Sequence, residues 1–351
     1  MFKRALFAAS VAAVFAAPAF ADVTVYGALR TSVEYSKGNG ISQVRLVDEK
    51  SVLGFKGEDK LDSGLTLIWK SEERLHVGGR VNSPNDWASR DQIIGLKGDF
   101  GTFSAGQMVS AYADATYLSP VLDDTWGISD DSNLYNQGIN GARNSSLKYV
   151  SPSFGGLTIA ASAGDARRSS TASTFSYSAV ANYSTSLFNA GAAYQRYKDA
   201  TVVDFSPSPA GGAHSDSYLV GAGVKPVAGL TLSAHWERVK NTFAIGTDAR
   251  QDDFGLGAEY EIGKWAFRTY YYQLNDIKGS DVSAVSDSGA KHYLLTAKYA
   301  LSKNTSALAA VNFLKSGSNA TIGDTLSLAN GATSAAGGKV GAVSLGLRTD
   351  F

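Results

Sequence analysis

Gly338-Lys339-Val340-Gly341-Ala342-Val343-Ser344-Leu345-Gly346-Leu347-Arg348-Thr349-Asp350-Phe351 closes the chain. Successive side chains of a strand point to opposite faces. Gly341, Val343, Leu345, Leu347, Thr349 and Phe351 therefore share one face, and Ala342, Ser344, Gly346, Arg348 and Asp350 share the other. One face is apolar, the other polar, and the end is aromatic. Such a segment is either the edge of a soluble sheet or the seam of a membrane barrel, with lipid on its apolar side and water on the other. The rest of the chain decides between them.

At the opposite end, Lys3 and Arg4 precede an apolar run from Ala5 to Ala17, followed by Pro18 and the small-x-small site Ala19-Phe20-Ala21. This is the layout of a secretory signal peptide cleaved after Ala21. The run falls short of the roughly 20 residues that a spanning helix needs. The expected division is a signal peptide at 1–21 and one barrel domain at 22–351, with no linker splitting it. Without Lys3 and Arg4, the 32 basic residues become 30 against 32 acidic ones, a formal charge of −2. That balance argues against a nucleic-acid partner. There is no cysteine, so no disulfide staples an exported chain. The 37 Gly, 17 Tyr and 16 Phe against 7 Pro favour many strands and tight turns. A mean hydropathy of −0.10 does not exclude a membrane barrel, because only alternate residues of each strand touch lipid.

The pattern of the last strand recurs throughout. Val23, Val25, Gly27, Leu29, Thr31 and Val33 alternate with Thr24, Tyr26, Ala28, Arg30, Ser32 and Glu34. A strand near 45–58 sets Leu53 and Phe55 against Lys56 and Glu58, and the next sets Leu65, Leu67 and Trp69 against Lys70, Glu72 and Arg74. Further strands end at Lys97 and run over 102–108. Others are expected at 143–153, 156–165, 174–186, 187–198, 216–226, 229–241, 252–263, 264–275, 290–302, 304–315 and 339–351. Short turns alternate with longer loops near 199–215, 241–251, 276–289 and 316–338. Strands of about 9–14 residues exceed the soluble average of about 5–6 and suit a tilted membrane crossing. About 16 strands result, an even number as bacterial barrels have. Aromatics near strand ends, among them Tyr149, Tyr183, Phe188, Tyr260, Trp265, Phe267, Tyr270, Tyr272, Tyr293 and Tyr299, are expected at the bilayer interfaces.

Ser110 to Gly141 breaks the alternation. It holds Asp114, Asp123, Asp124, Asp130 and Asp131, no Lys or Arg, and Tyr112, Tyr117, Trp126 and Tyr135. A loop this long is functional or disordered, and its aromatics favour packing. One reading folds it into the lumen with carboxylates over the pathway; the other covers the mouth or meets a neighbouring subunit. Arg30, Lys56, Lys70, Arg74 and Arg348, with Arg90 and Arg143 in less definite register, would line the opposite wall. Opposed charges at a constriction filter ions by sign. Each could equally belong to a solvated ion pair. Strict alternation puts Arg143 on the face of Leu147 and Tyr149, from which it reaches the lumen only above the membrane band or through a bulge.

The chain resembles the general trimeric porins of Gram-negative outer membranes, of neisserial and other betaproteobacterial type. The resemblance rests on Asp22-Val23-Thr24-Val25-Tyr26-Gly27, on Leu53-Gly54-Phe55-Lys56-Gly57-Glu58-Asp59 and on Gly95-Leu96-Lys97-Gly98-Asp99-Phe100-Gly101-Thr102. It continues through Asn144-Ser145-Ser146-Leu147-Lys148-Tyr149, Ser151-Pro152-Ser153-Phe154-Gly155-Gly156 and terminal Phe351. It implies an all-β transmembrane barrel of 16 strands, a homotrimer in outer-membrane lipid and lipopolysaccharide, and passive diffusion of ions and small hydrophilic solutes. It also implies that Phe351 signals to the barrel-assembly machinery. By position, Arg30, Arg74, Arg90 and Arg143 would be wall residues, and Asp114, Asp123 and Asp124 loop residues at the constriction. Ser51-Val52 and Gly106-Gln107-Met108 stand where relatives often carry basic residues, so a weak or cation-leaning selectivity is expected.

Other chemistry finds little support in the sequence. His76, His214, His235 and His292 lack metal-ligand spacing. Gly221-Ala222-Gly223 and Gly255-Leu256-Gly257 lack the third glycine of a dinucleotide fingerprint. No cofactor, metal or catalytic residue is expected. A barrel serving as adhesin or receptor platform, or a hydrolase using His235, are the alternatives to a channel.

Overall fold

A strand whose two faces differ in polarity is stable only between two different surroundings, and a closed sheet supplies them. The computed structural model describes residues 22–38, 41–77, 90–115, 143–168, 173–198, 213–243, 246–279, 285–320 and 337–351. The expected signal peptide and the loop aspartates Asp123, Asp124, Asp130 and Asp131 lie outside them.

The strands are β1 Asp22–Gly38, β2 in two segments Ile41–Asp48 and Val52–Lys60, β3 Thr66–Arg74, β4 Gln92–Gly98, β5 Gly101–Val109 and β6 Arg143–Val150. They continue with β7 Leu157–Arg168, β8 Ser173–Ser184, β9 Phe188–Lys198, β10 His214–Val227 and β11 Leu230–Thr242. Next come β12 Asp248–Ile262, β13 Trp265–Leu274, β14 Ala290–Ala300, β15 Thr305–Ser316 and β16 Lys339–Asp350. Each pairs antiparallel with its chain neighbours, and β1 pairs with β16 from Ala28↔Asp350 to Gly38↔Val340, so the 16-strand sheet closes with no free edge. A two-residue segment, Lys278–Gly279, extends the pairing of β12. Among the described residues, one short helix, α1 Ala111–Asp114, follows β5.

The two faces of the closing strand divide as the alternation requires: Leu345 is 64% exposed and Ser344 2%. Exposed Val25, Leu29 and Val33 alternate in the same way with buried Ser32, Glu34 and Ser36 on β1. The outward side is the lipid-facing one and the inward side lines the bore. Short turns such as Ile262-Gly263-Lys264-Trp265, with Gly263 at φ 59°, gather at one rim with both ends of the barrel chain. The longer connections gather at the other.

Two boundaries differ from expectation. The single strand expected near 45–58 is broken at Glu49–Ser51, where Lys50 has φ 61°. There Ser51 Oγ accepts from Arg30 N at 2.9 Å and donates to Arg30 O at 3.1 Å, replacing ladder bonds. The loop expected over 241–251 is only 243–247, because the β11–β12 ladder runs on to Thr242↔Asp248. Cross-strand ion pairs hold this extension: Arg238 to Asp252 by two bonds of 2.5 and 2.9 Å, and Lys240 to Asp248 at 2.9 Å.

Outward aromatics form two belts. Toward the turns, Phe103 meets Tyr149 at 4.6 Å between ring centres, Tyr183 meets Phe188 at 5.8 Å and Trp265 meets Tyr299 at 4.7 Å. Toward the loops, Tyr177, Tyr194 and Tyr218 follow one another, as do Phe254, Tyr271, Tyr293 and Phe313. Tyr270 and Tyr272 correct the sequence expectation. They face inward and are buried, 2% and 0% exposed, because they alternate with belt residue Tyr271. With Leu274, Leu294, Leu308, Leu314 and Val340 they form an apolar cluster on the inner face of β13–β16, beside buried His292, Thr296 and Asn312.

Candidate functional site

The inner wall from β16 through β1, β2 and β3 to the start of β4 collects the basic residues that alternation turned inward. Arg30 and Arg348 are direct partners across the β1–β16 seam, and Arg348 Nε lies 3.0 Å from the Asp350 carboxylate. Arg74 ends β3, opposite Val52. Lys70 Nζ lies 2.9 Å from Asp91 Oδ2 and 3.3 Å from Glu72 Oε2. Arg90 Nε donates to Glu72 Oε1, and Tyr26 OH donates to Glu72 Oε2 at 2.8 Å. Lys56 sits nearer the turn rim, over the Tyr26 ring at 5.4 Å. Buried Glu34 accepts from Arg45 at 2.8 Å.

The structure thus brings Lys70 and Arg90 around one carboxylate, Glu72, with Asp91 beside it. Glu72 and Asp91 were not among the expected wall residues. Alternation alone had placed Glu72 on the face of Lys70 and Arg74, and that was the available signal; Asp91 comes within reach only through the β3–β4 pairing. Half-buried ion pairs of this kind cancel at long range and leave strong, short-range fields along the wall. Arg143 opens β6 opposite Val109; its side chain lies outside the described residues.

Across the bore, the root of the long loop is clamped to the wall built by β7 to β11. Ser110 caps α1 by accepting from Ala113 N at 3.1 Å, and its own hydroxyl donates to Gln195 Oε1 at 2.6 Å. Ala111 N donates to Ser162 Oγ and Tyr112 N to Ser178 Oγ. Tyr112, 0% exposed, reaches β11, where its hydroxyl donates to Glu237 Oε1 at 2.5 Å. Glu237 is fully buried opposite its β12 partner Asp253, which is buried as well. His235, two positions along, packs inward with Nε2 3.6 Å from Asp253 Oδ1 and its ring stacked on Tyr270. Asp114 turns to Lys148 Nζ at 2.5 Å. Among the described residues, no group of three or more His, Cys, Asp or Glu could hold a metal ion.

At the turn rim, Phe351 completes the seam. Its N donates to Gly27 O at 3.1 Å and Gly27 N donates to its carbonyl at 2.9 Å. The Phe351 ring covers Gly27 so closely that a Cβ there would stand 2.6 Å from Cζ, and 2.7 Å from Val52 O.

Comparison with known proteins places this geometry. A family profile described as Gram-negative porin matches residues 8–319. The major outer membrane protein P.IB of Neisseria meningitidis is 29% identical over 331 residues, covering 90% of this chain and 94% of that protein. P.IB of Neisseria gonorrhoeae is 28% identical over 349 residues, covering 91% and 95%. Among solved structures, an anion-selective porin from Comamonas acidovorans superposes with a TM-score of 0.77 at 20% identity, covering 95% of this chain and 100% of that one. OmpT of Vibrio cholerae, in a trimer form, superposes with a TM-score of 0.67 at 14% identity, covering 95% and 100%.

Proposed function

The chain belongs to the Gram-negative porin family, and from that premise we propose how its residues govern passage. It is an outer-membrane barrel that forms a water-filled channel for passive diffusion of ions and small hydrophilic solutes. We assign it no catalytic residue.

In our reading the constriction lies between the paired basic wall (Arg30, Lys70, Arg74, Arg90, Arg143 and Arg348, with Lys56 below) and the loop carrying Asp114, Asp123 and Asp124. The observation that carries this reading is the clamped loop root. Ser110 to Tyr112 bond to Gln195, Ser162, Ser178 and Glu237 on the inner wall, so the described root of the loop lies inside the bore. The wall cations with carboxylate partners (Lys70, Arg90 and Arg348) lose much of their pull on anions. Asp114 is likewise paired, with Lys148, so Asp123 and Asp124 then tip the balance weakly toward cations.

Zero-current potentials across a salt gradient test this. Replacing Asp123 and Asp124 by Asn is expected to move the potential toward anions. A unit charge about 10 Å from the path in a water-like medium is worth about 0.4 kcal/mol, or roughly a two-fold change in local ion occupancy per charge. An unchanged potential would remove those aspartates from the pathway, and a strong anion preference in the unaltered protein would refute the cation lean.

The trimer form of OmpT, together with the shared barrel, supports a homotrimer for this chain as well. Residues 1–21 serve as the cleaved export signal, and Phe351 as the mark read by the assembly machinery. Unboiled gel migration and cross-linking of purified protein check the first of these assignments, and the amino-terminal sequence of the exported protein checks the second.

A further inference from the structure

Lys70 and Glu72 stand two apart on the inner face of β3, and Arg90 and Asp91 immediately precede β4. Two cations and two carboxylates make this unit of the wall neutral. Glu72 is the member that three side chains reach: Tyr26 OH at 2.8 Å, Lys70 Nζ at 3.3 Å and Arg90 Nε. Its main chain is fixed as well. Its N–H donates to Asp91 O at 2.9 Å, and its carbonyl accepts from Gln92 Nε2 at 3.1 Å.

Exposure separates the two signs. The side chains of Lys70 and Arg90 are 29% and 25% exposed, that of Glu72 8%. Water and passing ions therefore meet the cations, and the carboxylate works from behind them. Its bonds to the cations and to Tyr26 stand in for the hydration it has lost. A lysine ammonium on its flexible four-carbon stem and an arginine fork extend into a bore once nothing holds them. Drawn back onto Glu72, the same two side chains stay with the wall.

The plain alternative is an ion pair that adds a little stability and contributes nothing to passage. Two features of the unit argue against it. The carboxylate is nearly dry, whereas an ordinary surface pair is solvated at both ends. It is also anchored independently of its cations. Tyr26 on β1 holds it from one side, and the main chain of Asp91 and the Gln92 side chain hold its backbone from the other. Glu72 is thus the fixed point to which the two mobile cations are tied, and displacing its carboxylate displaces both.

We infer that Glu72 is a positioning residue for ion selectivity: it ties Lys70 and Arg90 back against the wall and so keeps an anion-attracting surface neutral. It acts through those two cations and touches no passing ion itself. The inference rests on the reading of this wall as one side of the constriction.

Zero-current potentials of the mature protein in planar bilayers test this. Glu72→Gln keeps the shape and leaves an amide oxygen for Tyr26. It is expected to raise the anion-to-cation permeability ratio about four-fold, from about two-fold more anion and about two-fold less cation for one charge at the path. Glu72→Asp keeps the charge but draws the carboxylate one methylene away from the cations, and a rise of about two-fold is expected. In a Lys70→Gln/Arg90→Gln background the Glu72→Gln rise should fall to about two-fold or less, because no cation remains to be released. An unchanged ratio in Glu72→Asp, or an equal Glu72→Gln rise with and without the two cations, would overturn the proposal. If Glu72→Gln does not assemble, as judged by migration of unboiled protein, Glu72→Asp carries the test alone. Asp123→Asn/Asp124→Asn in the same bilayers separates this role from that of the loop. A shift there with none at Glu72 removes the role of Glu72 alone, and the converse removes only the placement of the loop.

Discussion

Gly27→Val is expected to leave most of the protein outside the outer membrane, with little of it migrating as a folded species in unboiled gels. The valine Cβ would stand 2.7 Å from Val52 O, a backbone atom that cannot turn away, and 2.6 Å from the Phe351 ring. Forcing the strands apart costs about 1–3 kcal/mol for overpacking. It also strains the two hydrogen bonds between Gly27 and Phe351, worth about 0.5–1.5 kcal/mol each. The total is about 2–6 kcal/mol, placed at the seam where the barrel must close. Urea unfolding of refolded protein in detergent reads the stability, and the outer-membrane fraction reads assembly. Phe351→Ala separates the two effects: it keeps the backbone bonds, so in-vitro stability should fall by less. Its yield in cells should nevertheless collapse if the terminal ring is what the assembly machinery recognises. Equal, mild losses in both assays would reduce Phe351 to a packing residue.

Tyr112→Phe is expected to give a larger and noisier unitary conductance in planar bilayers, with a loss of about 1–3 kcal/mol in stability, because Glu237 loses its partner in a site with no water access. Tyr112→Ala adds a cavity, for which aromatic truncations cost about 3–5 kcal/mol. Glu237→Gln is the milder change, since an amide oxygen still accepts from the tyrosine hydroxyl and the repulsion from Asp253 disappears. The ordering Tyr112→Ala, then Tyr112→Phe, then Glu237→Gln is the signature of an anchored loop root. A Tyr112→Phe channel with unaltered conductance and noise would mean that the root does not hold the opening.

What the sequence made legible was facing. Period-two alternation located the lipid and water sides of β16 and β1, and it turned Arg30, Lys70, Arg74 and Arg348 inward before any pairing was known. What it missed depends on register between strands or on distance along the chain. Arg238, Lys240 and Asp252 read as strand residues with no visible partner and Asp248 as part of a loop, yet across the β11–β12 ladder they are matched pairs. The break at Ser51 is invisible in a polarity pattern, because a side-chain hydroxyl there takes over main-chain bonds to Arg30. Tyr112 and Glu237 are 125 residues apart, and nothing local links them. Tyr270 and Tyr272 were assigned by nearness to a strand end when parity with Tyr271 should have decided.

The two aromatic belts carry a consequence for the surrounding lipid. Tyr177 and Tyr183, Phe188 and Tyr194, Trp265 and Tyr271, and Tyr293 and Tyr299 are each spaced by six residues on their strands. At about 3.3 Å per residue and a tilt of about 40°, that interval is about 15 Å along the membrane normal between backbone positions. The aromatic rings bracket a short apolar zone on this wall, in keeping with an outer membrane thinner than the roughly 30 Å of an average bilayer. In long-chain synthetic lipid the bilayer must pinch at the barrel's perimeter, at a cost of fractions of a kcal/mol per Å. Short-chain lipid is the host in which this barrel inserts with least deformation.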